Sequence, residues 1–237
     1  EDLLQNLNLF TKVIFDSEFF RFFKSWRKSL MSITSDAAAL NFFLVLYQDW
    51  KRKGSPIVSS TEVRAVQKNA FILLDQTIFD YVTRQWWGAS DAKIANNLSQ
   101  VHNSENLFTE LATEKWIELL DEIFESNAVG GVKITQRVME PILYHYYAVN
   151  KIAGPNGNDV VEVDHINPQS LFDSSSYSKD EGLRHNLFNL ALLPKRDNAS
   201  KSNKTLAQVS DAWLKHQIVT YSSINEEDFL KYSNISN

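Results

Sequence analysis

A change of pattern near residue 154 constrains the fold more than any other feature of the chain. Before it, apolar residues recur at helical spacing. Residues 154–158 (Gly-Pro-Asn-Gly-Asn) favour a turn, and the β-branched run at 160–163 is typical of a strand. The sequence therefore predicts a mainly α fold, with a helical domain over 1–153 and a second domain over 154–237.

Capping residues and breakers delimit the helices of the first part. Ser35 and Asp36 form an N-cap pair for a helix to about Lys51. Further helices are predicted from 60 to about Gly88, over 89–100, over 113–126 and from Thr135 onward. Pro141 predicts a kink or a later start in the last of these.

The absence of cysteine excludes a disulfide scaffold and a thiolate zinc site. It fits a reducing cytosol, so a cytoplasmic protein is expected. No apolar run approaches the roughly 20 residues of a membrane helix, and no membrane partner is expected. The first residue is Glu1 rather than Met, which suggests a fragment of a longer protein.

Charge is distributed unevenly. The formal net charge of −5 argues against a protein coated in nucleic acid. Residues 184–204, however, contain five cationic residues and one acid. Four of them are candidate contacts to DNA phosphates: Lys195, Arg196, Lys201 and Lys204. A solvated charged face explains the same pattern equally well.

Polar residues gather around the two predicted strands of the second domain. Asp164 and His165 end the first strand, Asn189 begins the second, and Asn198 lies in a helix predicted over 195–203. Helices over 206–218, with Trp213 facing inward, and over 225–232 follow. Strand, loop, strand, helix is the order of a ββα-metal finger with C-terminal helices.

This residue set suits phosphodiester hydrolysis. A histidine is partly neutral near pH 7 and can act as general base, as we expect of His165. A hard cation such as Mg²⁺ prefers oxygen ligands, which Asp164 and Asn198 can supply; Asn203 is a competitor for the second position. Adjacent strand residues point to opposite faces. Either the chain bends at His165, or Asp164 meets the metal while His165 faces the phosphate.

Two stretches carry a family resemblance. The string 163–170 (Val-Asp-His-Ile-Asn-Pro-Gln-Ser), with Asn189 and Asn198, resembles HNH (His-Me finger) nucleases, including the HNH domain of RNA-guided CRISPR nucleases. The run 188–193 (Phe-Asn-Leu-Ala-Leu-Leu), Asn198 and the Ser-Asn-Lys at 202–204 more closely resemble the C-terminal nuclease domain of GmrSD-type modification-dependent restriction enzymes.

The resemblance implies a metal-dependent DNA endonuclease of a bacterial restriction or anti-phage defence system. His165 would be the general base, Asp164 and Asn198 the ligands of Mg²⁺ or Mn²⁺, and Asn189 the structural middle residue of the motif. The substrate would be DNA, modified DNA included. The family's N-terminal regulatory domain, with its Asp-Gly-Gln-Gln-Arg-like motif, has no counterpart in this chain, and a homo-oligomer is compatible with the sequence.

Two alternatives stay open. The helical part could be a DNA-binding or oligomerisation module with a non-catalytic HNH-like finger. An HNH module of an RNA-guided enzyme is less favoured, because residues 1–150 lack the basic richness of a nucleic-acid channel. Four histidines are interpreted as structural, loop or exposed residues: His102, His145, His185 and His216.

Overall fold

A computed structural model describes residues 2–13, 24–57, 61–88, 90–103, 107–126, 128–150, 152, 154–155, 160–174 and 187–221. The chain divides into two compact units, Glu1–Trp116 and Ile117–Asn237. Helices dominate both units, and the described strands form two small sheets of two strands each. The prediction of a mainly α protein is confirmed.

All the regular elements described in the first unit are helices. Its helices are α1 (Asp2–Thr11), α2 (Lys24–Ser32), α3 (Asp36–Arg52), α4 (Thr61–Val82) and α5 (Ser90–His102), and α6 (Thr113–Ser126) begins in it. Helix α3 packs against both α4 and α5. The side chain of Ser35 accepts a hydrogen bond from the Ala38 amide at 3.3 Å, so the predicted N-cap of α3 is confirmed.

Helix α4 ends six residues before Gly88, where the sequence placed its end. Residues 83–86 form turns instead, and Arg84 lies in the left-handed region with φ of 64°. A non-glycine residue in that region interrupts the helical hydrogen bonds. The two tryptophans that follow therefore lie outside the helix.

The second unit holds the strands. It contains β1 (Ala128–Val129), β2 (Val132–Lys133), α7 (Gln136–Val149), β3 (Val161–His165), α8 (Gln169–Ser174), β4 (Leu190–Pro194), α9 (Lys195–Lys201) and α10 (Ala212–Tyr221). Short 3₁₀ turns cover Leu187–Asn189 and Leu206–Gln208. Gly130 and Gly131, both with positive φ, make the tight turn between β1 and β2. The helix predicted over 225–232 lies outside the described residues.

Strands β3 and β4 pair antiparallel, and three helices pack against them. The register runs from Val161 opposite Pro194 to His165 opposite Leu190. Helices α7 and α9 each pack against both strands, and α10 packs against β4. Every residue over 190–193 is buried, because helices cover this strand, and this explains its unbroken apolar sequence.

The helix predicted over 206–218 is divided in the structure. A 3₁₀ turn occupies Leu206–Gln208, and α10 begins only at Ala212. Leu214 and Ile218 of this helix are buried, whereas Trp213 is 57% exposed. The inward orientation predicted for Trp213 is therefore wrong.

Helix α7 belongs to the same compact unit as the strands, whereas the sequence grouped it with the helical domain. The domain boundary between 153 and 154 concerns independent folding and stays a prediction. None of the helices in the described ranges combines the length and the apolar character of a membrane span.

Candidate active site

The β3–β4 hairpin and α9 bring the candidate residues onto one small framework. Asp164 and His165 are the last two residues of β3, and Asn189 immediately precedes β4. The Lys195 amide donates to the Val160 carbonyl at 2.8 Å, so strand pairing continues into the first residue of α9. This bond sets α9 beside β3. Asn198 lies in the middle of that helix.

Asn189 fixes the backbone that follows His165. Its Oδ1 accepts from the Asn167 amide at 2.8 Å, and its Nδ2 donates to the Asn167 carbonyl at 3.1 Å. Its own carbonyl accepts from the Ile166 amide at 2.8 Å. One buried asparagine thus satisfies the turn after His165 and holds the end of β3 in place.

His165 is partly exposed at the end of β3. The Gln169 amide nitrogen lies 3.2 Å from its Nε2 and 3.3 Å from its Nδ1. Gln169 belongs to the first turn of α8, so this helix places a polar group against the imidazole. A neutral imidazole in this position can accept a proton from water.

Asp164 is buried against Lys201. The Lys201 ammonium donates to Asp164 Oδ1 at 3.2 Å and lies 3.0 Å from Oδ2, although Oδ2 itself accepts no hydrogen bond of good geometry. The same ammonium donates to the His165 carbonyl at 2.7 Å. Burial raises the pKa of Asp164 to about 6, and the charge of Lys201 opposes that rise.

Lys201 does not occupy the position that the sequence suggested. It is 1% exposed, and its ammonium is enclosed by Asp164 and the His165 carbonyl. The predicted contact of Lys201 with DNA stays a prediction, although its burial disfavours it. In this structure the residue orients the end of β3.

Asn198 meets the same strand one helical turn earlier. Its Nδ2 donates to Glu162 Oε2 at 2.9 Å. Residues 162 and 164 share one face of β3, and residues 198 and 201 share one face of α9. The two pairs therefore lie side by side along the contact between strand and helix.

The other three candidate DNA contacts are on the surface. Lys195, Arg196 and Lys204 are exposed, and Lys195 Nζ lies 3.8 Å from Glu162 Oε1. Asn203, the competitor of Asn198, lies in the turn after α9 and is exposed. His216 is exposed on α10, and His185 lies outside the described residues.

The oxygen donors present fit a hard cation such as Mg²⁺ or Mn²⁺ better than a metal that prefers sulfur or nitrogen ligands. Asp164 Oδ2 is buried without a hydrogen bond, and Asn198 donates through its nitrogen, which leaves its Oδ1 as an acceptor. Within the described ranges, no three residues among His, Cys, Asp and Glu cluster as metal ligands. Two protein oxygens with water completing the shell are typical of Mg²⁺.

The register of β3 and β4 bears on whether the chain bends at His165. Pairing of His165 with Leu190 keeps both Asp164 and His165 in regular strand, where adjacent side chains lie on opposite faces. Asp164 accordingly faces Lys201 of α9, while His165 meets Gln169 of α8. This favours the alternative in which Asp164 meets the metal while His165 faces the phosphate.

Two residues of this site, Glu162 and Gln169, were not predicted from the sequence. The alternation of β3 could have revealed Glu162, because residue 162 must share a face with Asp164. The contact of Gln169 with His165 has a weaker signal, since it depends on how α8 follows Pro168. Glu162 was visible only as a polar residue beside the motif, and Gln169 only as part of the string at 163–170.

The family model of GmrSD restriction endonucleases, C-terminal domain, matches residues 88–236. This match covers more than half of the chain and includes every candidate site residue. The chain therefore belongs to this family and carries a nuclease domain of restriction-system type, whose substrate is DNA. The family predicted from the sequence is confirmed. Comparison with curated proteins and with solved structures gave no match.

Proposed function

We propose that the hairpin and α9 form a ββα-metal finger of the HNH type that cleaves phosphodiester bonds in DNA. The supporting observation is that two paired strands and the helix that follows them carry Asp164, His165 and Asn198, with Asn189 fixing the turn after His165. Family membership supports the nuclease class independently. The wider role is restriction or anti-phage defence in the cytoplasm of a bacterium.

In this proposal, Asp164 and Asn198 hold Mg²⁺ or Mn²⁺ through oxygen atoms. The bound cation would neutralise charge on the phosphate and on the leaving oxygen. His165 accepts a proton from the attacking water. The oxygen of that water bonds to phosphorus while the phosphorus–oxygen ester bond breaks. Lys201 keeps Asp164 and the His165 carbonyl in position.

Exposed cations beside the finger would bind the DNA backbone. Lys195 and Arg196 begin α9, and Lys204 follows it, so all three lie next to Asn198 in the chain. Contacts of this kind give affinity without sequence preference. Recognition of modified DNA would then belong to another part of the protein, such as a regulatory N-terminal domain or a second copy of the chain.

The test is plasmid cleavage by the wild type and His165→Ala in Mg²⁺ and in Mn²⁺. Loss of the general base should lower the cleavage rate by about 10²–10⁴-fold, and a chelator should abolish cleavage by the wild type. His216→Ala is the matched control, because His216 is exposed on α10. Cleavage by His165→Ala at the wild-type rate would refute the proposal.

One observation favours a second candidate, a finger that binds DNA without cleaving it. The ammonium of Lys201 already neutralises Asp164 and lies where it could exclude a cation. Calorimetric titration with Mn²⁺ separates the two, because the catalytic proposal requires binding that depends on Asp164. Absence of any such binding would favour the non-catalytic finger.

A further inference from the structure

The hydrogen bond between Glu162 and Asn198 involves a proposed metal ligand, and the proposed mechanism gives Glu162 no role. Asn198 Nδ2 donates to Glu162 Oε2 at 2.9 Å. Glu162 is two residues before Asp164 on β3, so both carboxylates lie on the face that meets α9. The other Glu162 oxygen is 3.8 Å from the exposed Lys195 ammonium, a separation that contributes little.

A carboxylate determines which end of an amide it meets. An ionised carboxylate only accepts hydrogen bonds, whereas a side-chain amide has a donor end and an acceptor end. Beside Glu162, the NH₂ group of Asn198 must therefore face the strand. Its Oδ1 is left as the acceptor end, and no described residue donates a hydrogen bond to that oxygen.

The orientation of the amide decides whether Asn198 can bind a hard cation. Mg²⁺ and Mn²⁺ bind the carbonyl oxygen of an amide and are repelled by its NH₂ group. An amide free to rotate would present the wrong end for part of the time. We propose that Glu162 is a positioning residue that holds the Asn198 carbonyl oxygen toward the cation, an inference that rests on the function proposed above.

Glu162→Gln is the sharpest change, because it preserves size while removing the acceptor-only character. A glutamine can meet either end of the Asn198 amide, so the preference for one orientation is lost. The dissociation constant for Mn²⁺, measured by calorimetry without DNA, should rise by about 10- to 100-fold. Glu118→Gln is the matched control: it makes the same charge change at an exposed position of α6 in the same unit and should leave the constant unchanged.

A double-mutant cycle separates positioning from direct ligation. If Glu162 acts through Asn198, Glu162→Gln should cause no further loss of Mn²⁺ affinity in an Asn198→Ala background. The side-chain NH₂ signal of Asn198 in the ¹H–¹⁵N spectrum of the metal-free protein should shift in Glu162→Gln and not in Glu118→Gln. Circular dichroism establishes that each variant is folded.

Each result is decisive. Wild-type Mn²⁺ affinity in folded Glu162→Gln, or an equal loss in the Asn198→Ala background, overturns the positioning role and leaves the nuclease proposal intact. If the wild-type protein does not bind Mn²⁺, this inference is overturned. If His165→Ala also cleaves DNA at the wild-type rate, the nuclease proposal is overturned with it.

Discussion

The buried ammonium of Lys201 contacts the carboxylate of Asp164 and the carbonyl of His165. Its side chain is 1% exposed and that of Asp164 is 7% exposed, so neither charge is hydrated by bulk water. Removing one partner of such a pair leaves an uncompensated charge in the interior. Lys201→Met should therefore lower the free energy of unfolding by about 3–5 kcal/mol, as measured by urea denaturation.

Two further variants test whether the lower stability of Lys201→Met comes from the unpaired charge of Asp164. Lys204→Met removes an exposed cation three residues away, and we expect a change of no more than about 0.5 kcal/mol. Combining Asp164→Leu with Lys201→Met removes both charges and should restore most of the lost stability. If the double variant were as unstable as Lys201→Met, lost packing rather than the unpaired carboxylate would be the cause.

At this scale the sequence predicted residue types better than their environments. The positions of Asp164, His165, Asn189 and Asn198 along the motif were all apparent. The burial of Lys201 was not, because a lysine in a basic run is indistinguishable from its solvated neighbours until the strand that carries Asp164 is packed against α9. Long side chains depend on tertiary contacts that local sequence does not contain.

At the scale of elements, Tyr147 ties helix α7 to the outer edge of β4. The Leu192 amide donates to the Tyr147 hydroxyl at 3.0 Å, and that hydroxyl donates to the Tyr221 carbonyl at the end of α10. Burial raises the pKa of Tyr147, so the hydroxyl keeps its proton. One phenol thus serves a strand edge and a helix end at once.

Tyr147→Phe leaves a buried amide and a buried carbonyl without partners. The free energy of unfolding should fall by about 1–3 kcal/mol for each group left unsatisfied. Tyr47→Phe is the comparison, because Tyr47 of α3 packs against Phe10 and Trp50 and its hydroxyl has no hydrogen bond to a described residue. Equal stabilities of the two variants in thermal denaturation would show that this hydroxyl contributes nothing.

Elements with strong local signals were predicted well. Helix α6 was predicted with its observed bounds, since Thr113 and Ser126 frame one amphipathic stretch. The end of α4 and the start of α10 were misplaced, because apolar spacing continues through both breaks. The left-handed Arg84 and the 3₁₀ turn from Leu206 are set by local backbone geometry that spacing does not reveal.

At the scale of the whole molecule, α7 determines where the second unit can begin. The helix packs against β3 and β4 and buries Val138, Met139, Ile142, Leu143 and Tyr147. Burial of each such side chain contributes about 1.5–3 kcal/mol. Because the net stability of a typical domain is only about 5–15 kcal/mol, we do not expect the second unit to stay folded without α7.

Two fragments test this dependence. We expect residues 113–237, which keep α6 and α7 entire, to unfold cooperatively on heating. We expect residues 154–237, which correspond to the domain predicted from the sequence, to lack a cooperative transition. Circular dichroism would measure both, and a cooperative transition in the shorter fragment would support the boundary at 153 and 154 instead.

The burial of Lys201 also protects its amine from chemical modification. Acylating reagents attack uncharged amines that water can reach, so Lys195 and Lys204 should be labelled quickly while Lys201 escapes. Modification of Lys201 would require α9 to separate from β3. The rate of acylation of Lys201, measured by mass spectrometry, therefore reports how often α9 separates from β3.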